Sequence, residues 1–119
     1  MSVSAEVSER VIQTCRQAAE ASRDAICRQG NLLVFSPDHA DEVVVSADLH
    51  GNRLNFQQIC RIADLENFPR RHLVVQEVCH GGPTYPDGQG CMSHLLLEDV
   101  AQWKLRYPDR FHFLLSNHE

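Results

Sequence analysis

Side chains that bind metal ions recur at three places in this 119-residue sequence, each directly after a short apolar run. Carboxylate, imidazole and amide groups together form a mixed hard and borderline ligand set for divalent cations. If the three apolar runs are parallel strands of one sheet, their carboxyl ends lie at one edge, where such sheets bind ligands. The sequence therefore predicts a divalent metal site built from Asp48, His50, Glu77, Asn117 and His118.

The elements that must position these side chains alternate along the chain. Helical periodicity predicts a first helix from an N-cap at Ser4 to an end at Gly30, and strand–helix alternation predicts an α/β fold with a mainly parallel sheet. The seven-residue turn after residue 35 is too short for a crossover helix, so residues 32–35 and 43–45 are expected to pair as an antiparallel hairpin. Further helices are predicted at 56–63 and 92–107, strands at 73–75 and 111–115, and a loop at 80–90.

Length and composition limit the classes of protein that fit. The chain is predicted to be one domain, 1–119, with an N-terminal helix in 1–30 and a β/α core in 31–119. Asp and Glu outnumber Lys and Arg by 16 to 11, and the net charge of −5 disfavours nucleic acid and membrane partners. The apolar runs are far shorter than the ~18 residues of a membrane helix. The odd count of five cysteines indicates reduced thiols and a cytoplasmic protein.

Two of the three clusters resemble the calcineurin-like metallophosphoesterases, most closely the phosphoprotein (serine/threonine) phosphatase branch. That branch has the motifs Gly-Asp-x-His-Gly, Gly-Asp-x-x-Asp-Arg-Gly and Gly-Asn-His-Glu. The first corresponds to Ala47-Asp48-Leu49-His50-Gly51, and the third to Ser116-Asn117-His118-Glu119, preceded by Tyr107-Pro108-Asp109-Arg110-Phe111. The resemblance covers residues 43–119.

The middle motif departs from the family pattern. Alignment on Gly82-Pro83 places Glu77 at the position of the metal-bridging Asp and His80 at that of the second Asp. Gly81 falls where the family has its phosphate-binding Arg, so a bidentate ligand for phosphate is missing there.

The resemblance implies metal-dependent hydrolysis of phosphate esters, with a phosphoprotein or a small phosphoester as substrate. Two divalent ions (manganese, iron or zinc), about 3.5–4 Å apart, would activate a hydroxide that attacks phosphorus. Asp48 and His50 would bind one ion, Asn117 the other, and Glu77 both. His118 would protonate the leaving oxygen or contact phosphate, and His80 is a supporting residue.

The family fold is a two-sheet α/β sandwich flanked by helices, and its later half supplies further ligands. The sequence resembles only the N-terminal half. We therefore expect 119 residues alone to be inactive, and to need a C-terminal half or to associate with themselves.

Two alternatives remain. The scaffold could be a non-catalytic metal-binding or protein-interaction module, which Gly81 favours. The other alternative is a small zinc site in the loop. Its two cysteines and two histidines are better explained without a metal, as a buried thiol, a loop thiol and two polar histidines. The remaining histidines are expected on the surface or on strand faces. The loop residues are Cys79, His80, Cys91 and His94, and the remaining histidines are His39, His72 and His112.

Overall fold

The structure, a computed structural model, describes residues 3–79, 84, 86 and 93–114. Within those residues, none of the helices combines the length and the hydropathy that crossing a bilayer requires. The described part has three helices and five strands in mixed α/β order: α1 (Val3–Asp24), β1 (Arg28–Gln29), β2 (Leu32–Leu33), β3 (Glu42–Asp48), α2 (Arg53–Ala63), β4 (Arg71–Gln76), α3 (Ser93–Arg106) and β5 (Phe111–Leu114).

The main sheet has the strand order β3-β4-β5, and both pairings are parallel. Leu73 of β4 lies between Val44 of β3 and Phe111 of β5 in register. The helices α2 and α3 follow β3 and β4 in the chain, as in consecutive βαβ units. The predicted α/β class and mainly parallel sheet are therefore confirmed.

The predicted hairpin between residues 32–35 and 43–45 is wrong. Leu32–Leu33 instead pairs antiparallel with Arg28–Gln29. The two residues between these strands are Gly30, at φ 63°, and Asn31, a sequence suited to a tight hairpin turn. That turn supplies a much nearer partner than residues 43–45 could, and β3 pairs with β4 instead.

The predicted end of the first helix at Gly30 is also wrong, because α1 ends at Asp24. Contacts distant in sequence take the chain out of the helix. The Ile26 amide donates to Asp109 Oδ1 at 3.0 Å, and the Val34 amide donates to the Cys27 carbonyl at 2.8 Å. The chain that follows α1 is thereby fixed against the turn that precedes β5.

One face of the sheet packs against α2 and α3 to form the apolar core. Leu73, Val75 and Phe111 from the sheet are fully buried there, together with Phe56 of α2 and Leu96 of α3. The Phe56 and Phe111 rings meet edge to face with centroids 6.0 Å apart, a favourable arrangement for aromatic pairs. The helices predicted at 56–63 and 92–107 are confirmed, and they provide this cover.

The opposite face of the sheet carries two buried histidines. His72 is 1% exposed and His112 is 2% exposed, so of the two expected positions, surface or strand face, both histidines occupy the strand face. The Phe35 ring covers them, with centroids 5.2 Å from His72 and 5.5 Å from His112. Farther along this face Val45 is 62% exposed. Self-association through an uncovered sheet face stays a prediction.

Arg110 joins the turn before β5 to the loop before β4. Its Nη1 donates to the carbonyls of Leu65 and Phe68, both at 2.9 Å, and to that of Arg71 at 3.2 Å. In return the Leu73 amide donates to the Arg110 carbonyl at 2.8 Å. One guanidinium thus helps to set the starting register of two neighbouring strands.

Candidate metal site

The carboxyl ends of β3 and β4 are held together by backbone hydrogen bonds that continue beyond the strands. The register between the two strands is irregular between Val45 and Asp48. Beyond this irregularity, the His50 amide donates to the Glu77 carbonyl at 2.8 Å, and the Gly51 amide donates to the Val78 carbonyl at 2.8 Å. The residues after one strand are therefore in fixed positions relative to those after the other.

Two residues in these connections have a left-handed backbone. His50 has φ 46° and Glu77 has φ 47°. This conformation costs a non-glycine residue roughly 1–2 kcal/mol. Backbone strain of this kind persists where the surrounding structure imposes it and is concentrated at functional sites. The strain coincides here with two of the side chains that the sequence predicts as metal ligands.

The side chains of Asp48, His50 and Glu77 converge. Each offers one ligand atom, and these atoms all lie within 4.8 Å of one another. Asp48 Oδ2 lies 3.7 Å from His50 Nε2. Glu77 is only 3% exposed, whereas the side chains of Asp48 and His50 are 49% and 43% exposed. The cluster therefore has a buried carboxylate and two side chains that are open to solvent.

The helix α2 begins directly after this cluster, with Asn52 as its N-cap. Asn52 Oδ1 accepts a hydrogen bond from the Asn55 amide at 3.0 Å, which satisfies one of the amides left unpaired in the first helical turn. Leu49, between the two exposed ligands, is 2% exposed and belongs to the core. Capping and core packing thus fix the segment that carries Asp48 and His50.

The other predicted site residues lie outside the described part of the chain: His80, Asn117 and His118. Cys91 of the alternative zinc loop also lies outside it. Cys79 is half-buried and His94 is the second residue of α3. The structure therefore brings together three of the predicted ligands.

The structure contains a second group of potential metal ligands, which the sequence did not predict. Cys27, His72 and His112 each offer one ligand atom within 4.8 Å of the other two, and all three residues are buried. The residue type gave no indication of burial, because histidine is common on solvent-facing positions of strands as well as on buried ones. The only available sign was that two histidines occur as the second residues of strands that pair in parallel.

The exposed cluster suits a divalent cation. Two carboxylates and an imidazole combine oxygen and nitrogen donors, as manganese, iron and zinc accept. No protein-family model, curated protein or solved structure matches this chain.

Proposed function

We propose that Asp48, His50 and Glu77 are metal ligands of a phosphoesterase that resembles the serine/threonine protein phosphatases. The observation that carries the proposal is the convergence of the three side chains within 4.8 Å at the carboxyl ends of neighbouring parallel strands. That is the edge at which open α/β sheets bind ligands. The motif Asp48-Leu49-His50-Gly51 supplies the link to phosphoester chemistry.

The residues have distinct roles in this proposal. Asp48 and His50, at the solvent-exposed side, and the buried Glu77 carboxylate would hold the divalent ions, with Glu77 contributing to both. By the resemblance, Asn117 would be a further ligand and His118 would donate a proton to the leaving oxygen. When bound, the two ions supply an activated hydroxide and offset the charge that develops on the phosphoryl group.

A buried carboxylate supports this assignment. Glutamate is almost never fully buried unless it is paired or binds a metal, because desolvation of a carboxylate is costly. Glu77 is 3% exposed, holds a left-handed backbone and lies in the cluster with Asp48 and His50. A site that needs a carboxylate at this point accounts for both costs.

The first experiment measures manganese binding by titration calorimetry on the 119-residue chain. We expect Glu77→Gln and Asp48→Asn to abolish binding. The matched controls are Glu66→Gln and Asp41→Asn, which neutralise exposed carboxylates whose partners are Arg106 and Arg70. Equal binding by Glu77→Gln and wild type would overturn the site.

The second experiment separates a phosphoesterase from a metal-binding module without catalytic function. Inorganic phosphate is the probe, and its phosphorus-31 relaxation is measured with manganese and the chain at equal concentrations. Relaxation that differs from that of phosphate with free manganese at the same concentration, in wild type and Glu66→Gln but not in Glu77→Gln, supports a site at which phosphate reaches the metal. Manganese binding without that difference in relaxation favours the non-catalytic module, for which Gly81 in place of an arginine is the specific observation.

A further inference from the structure

The buried cluster of Cys27, His72 and His112 has the spacing of a metal site. Cys27 Sγ lies 3.5 Å from His112 Nε2, and His72 Nδ1 lies 3.0 Å from the same nitrogen. Around a tetrahedral zinc ion, bonds of about 2.3 Å to sulfur and about 2.0 Å to nitrogen place ligand atoms roughly 3.3–3.6 Å apart. These two separations are within about 0.3 Å of that range, and the third pair of ligand atoms lies within 4.8 Å.

Hydrogen bonding leaves a lone pair of His72 directed into the cluster. His72 Nε2 lies 3.2 Å from the His39 carbonyl, and a carbonyl can only accept, so that nitrogen carries the hydrogen. In the neutral imidazole, Nδ1 is then the bare nitrogen. Metal-binding histidines are oriented in this way, with the second ring nitrogen donating to a carbonyl or a carboxylate.

His112 Nε2 is shared by the two short contacts of the cluster. It faces both a sulfur and the bare His72 Nδ1, but a ring nitrogen carries at most one hydrogen. When that hydrogen is donated to His72 Nδ1, the Cys27 thiol keeps only a weak interaction in the cluster, because a thiol is a weak donor and a weak acceptor. A cation at the centre accepts a lone pair from all three atoms at once.

We propose that Cys27, His72 and His112 form a second metal site, which binds one zinc ion and fastens the chain after α1 to the sheet. One thiolate and two imidazoles are a zinc ligand set, and they differ from the oxygen-rich set of the exposed cluster. A cavity of about 410 Å³ lies beside the cluster and is lined in part by His112 and Lys104.

Burial changes the pKa values of the three side chains. Burial, with the charge of Lys104, lowers the pKa of His112 to about 3, and burial also lowers the pKa of His72. Burial raises the pKa of the Cys27 thiol. Zinc would therefore have to displace the thiol proton, which passes to solvent as the Zn–S bond forms.

Lys104 is the cation that faces the cluster from α3. Its Nζ donates to the carbonyls of Pro108 at 2.7 Å and Phe111 at 2.8 Å. These bonds orient its hydrogens toward the turn before β5. Burial lowers the pKa of Lys104 to about 8.

The two clusters lie at opposite ends of the sheet. His72 and His112 are the second residues of β4 and β5, whereas Glu77 follows the last residue of β4. Five residues of extended strand span roughly 16 Å. Neither site can therefore supply a ligand to the other.

The test uses the full chain with the exposed site disabled by Asp48→Asn and Glu77→Gln, so that bound zinc reports the buried cluster. Elemental analysis should find one zinc per chain, and cobalt substitution should give a sulfur-to-cobalt charge-transfer band. Cys27→Ser should lose both the zinc and the band. Cys60→Ser is the matched control, because Cys60 is also a buried thiol, and it should retain both.

Two measurements on the wild-type chain keep the test independent of how the variants fold. Zinc-edge X-ray absorption should show sulfur and imidazole scattering, and zinc should slow alkylation of Cys27 without changing that of Cys60. Zinc scattering without sulfur, or a cobalt band that persists in folded Cys27→Ser, would overturn the proposal. So would a folded protein that binds no zinc.

Discussion

Replacing His50 by glycine and by alanine distinguishes the cost of its left-handed backbone from its role as a metal ligand. Both changes remove the imidazole, which is 43% exposed and contributes little packing. They differ at the backbone, where φ is 46°. Glycine adopts this conformation without steric cost, whereas alanine retains the Cβ that clashes.

The size of the difference follows from two opposing contributions. The left-handed conformation costs alanine about 1–2 kcal/mol in the folded state. Glycine loses about 0.4–1 kcal/mol more in chain entropy on folding. We therefore expect His50→Gly to exceed His50→Ala in free energy of unfolding by about 0.5–1 kcal/mol, with manganese affinity lowered at least about tenfold in both variants.

Urea unfolding in the presence of a chelator measures the stability difference, and calorimetry measures manganese affinity. Asp64 provides the matched control, because it has φ 49° at the C-cap of α2 and lies outside both clusters. Asp64→Gly and Asp64→Ala should show a similar stability gap with unchanged manganese affinity. A His50→Ala variant as stable as His50→Gly would refute the left-handed backbone at this position, and unchanged affinity would refute ligation.

Two further predictions concern structural residues. Arg110→Ala should lower the free energy of unfolding, measured with urea, by about 2–3 kcal/mol, because it leaves three carbonyls without their charged donor. The control is Arg106→Ala, which removes an exposed arginine and should lower the free energy of unfolding by less than about 1 kcal/mol. Burial raises the pKa of Cys60 from 9.0 to about 12. The unfolded chain therefore loses this proton first, and above pH 9 wild type should lose stability relative to Cys60→Ala, by at most about 1.4 kcal/mol per pH unit. Equal losses of stability above pH 9 in wild type and Cys60→Ala would contradict the burial of Cys60.

Local periodicity was sufficient to predict α2, β4 and α3. Phe56, Cys60 and Ala63 are all buried, as their spacing on one helical face predicts, because a helix of this length has one side to cover. The same logic misplaced the end of α1. Apolar residues continue at helical spacing to Ile26, but the Ile26 amide bonds to Asp109, 83 residues away in sequence. A contact at that separation leaves no local pattern.

The exposed cluster could be predicted in part because its geometry follows from a rule of topology. Carboxyl ends of adjacent parallel strands meet, so Asp48 and Glu77 had to approach each other once β3 and β4 were neighbours. The buried cluster depends instead on register and on a third segment. His72 and His112 share a sheet face only in the observed pairing, in which Val74 lies opposite His112. Cys27 reaches them only because α1 ends early.

The two clusters differ in burial, and this difference fits the different roles proposed for them. Metal sites that perform catalysis keep an open coordination position, whereas structural zinc sites are closed by protein. The exposed cluster leaves Asp48 and His50 accessible at one end of β4, where a phosphate could approach. At the other end Cys27, His72 and His112 are at most 2% exposed, as expected of side chains that hold a fold together. Under both proposals, one central strand thus contributes Glu77 to an open site for chemistry and His72 to a buried site that holds the fold.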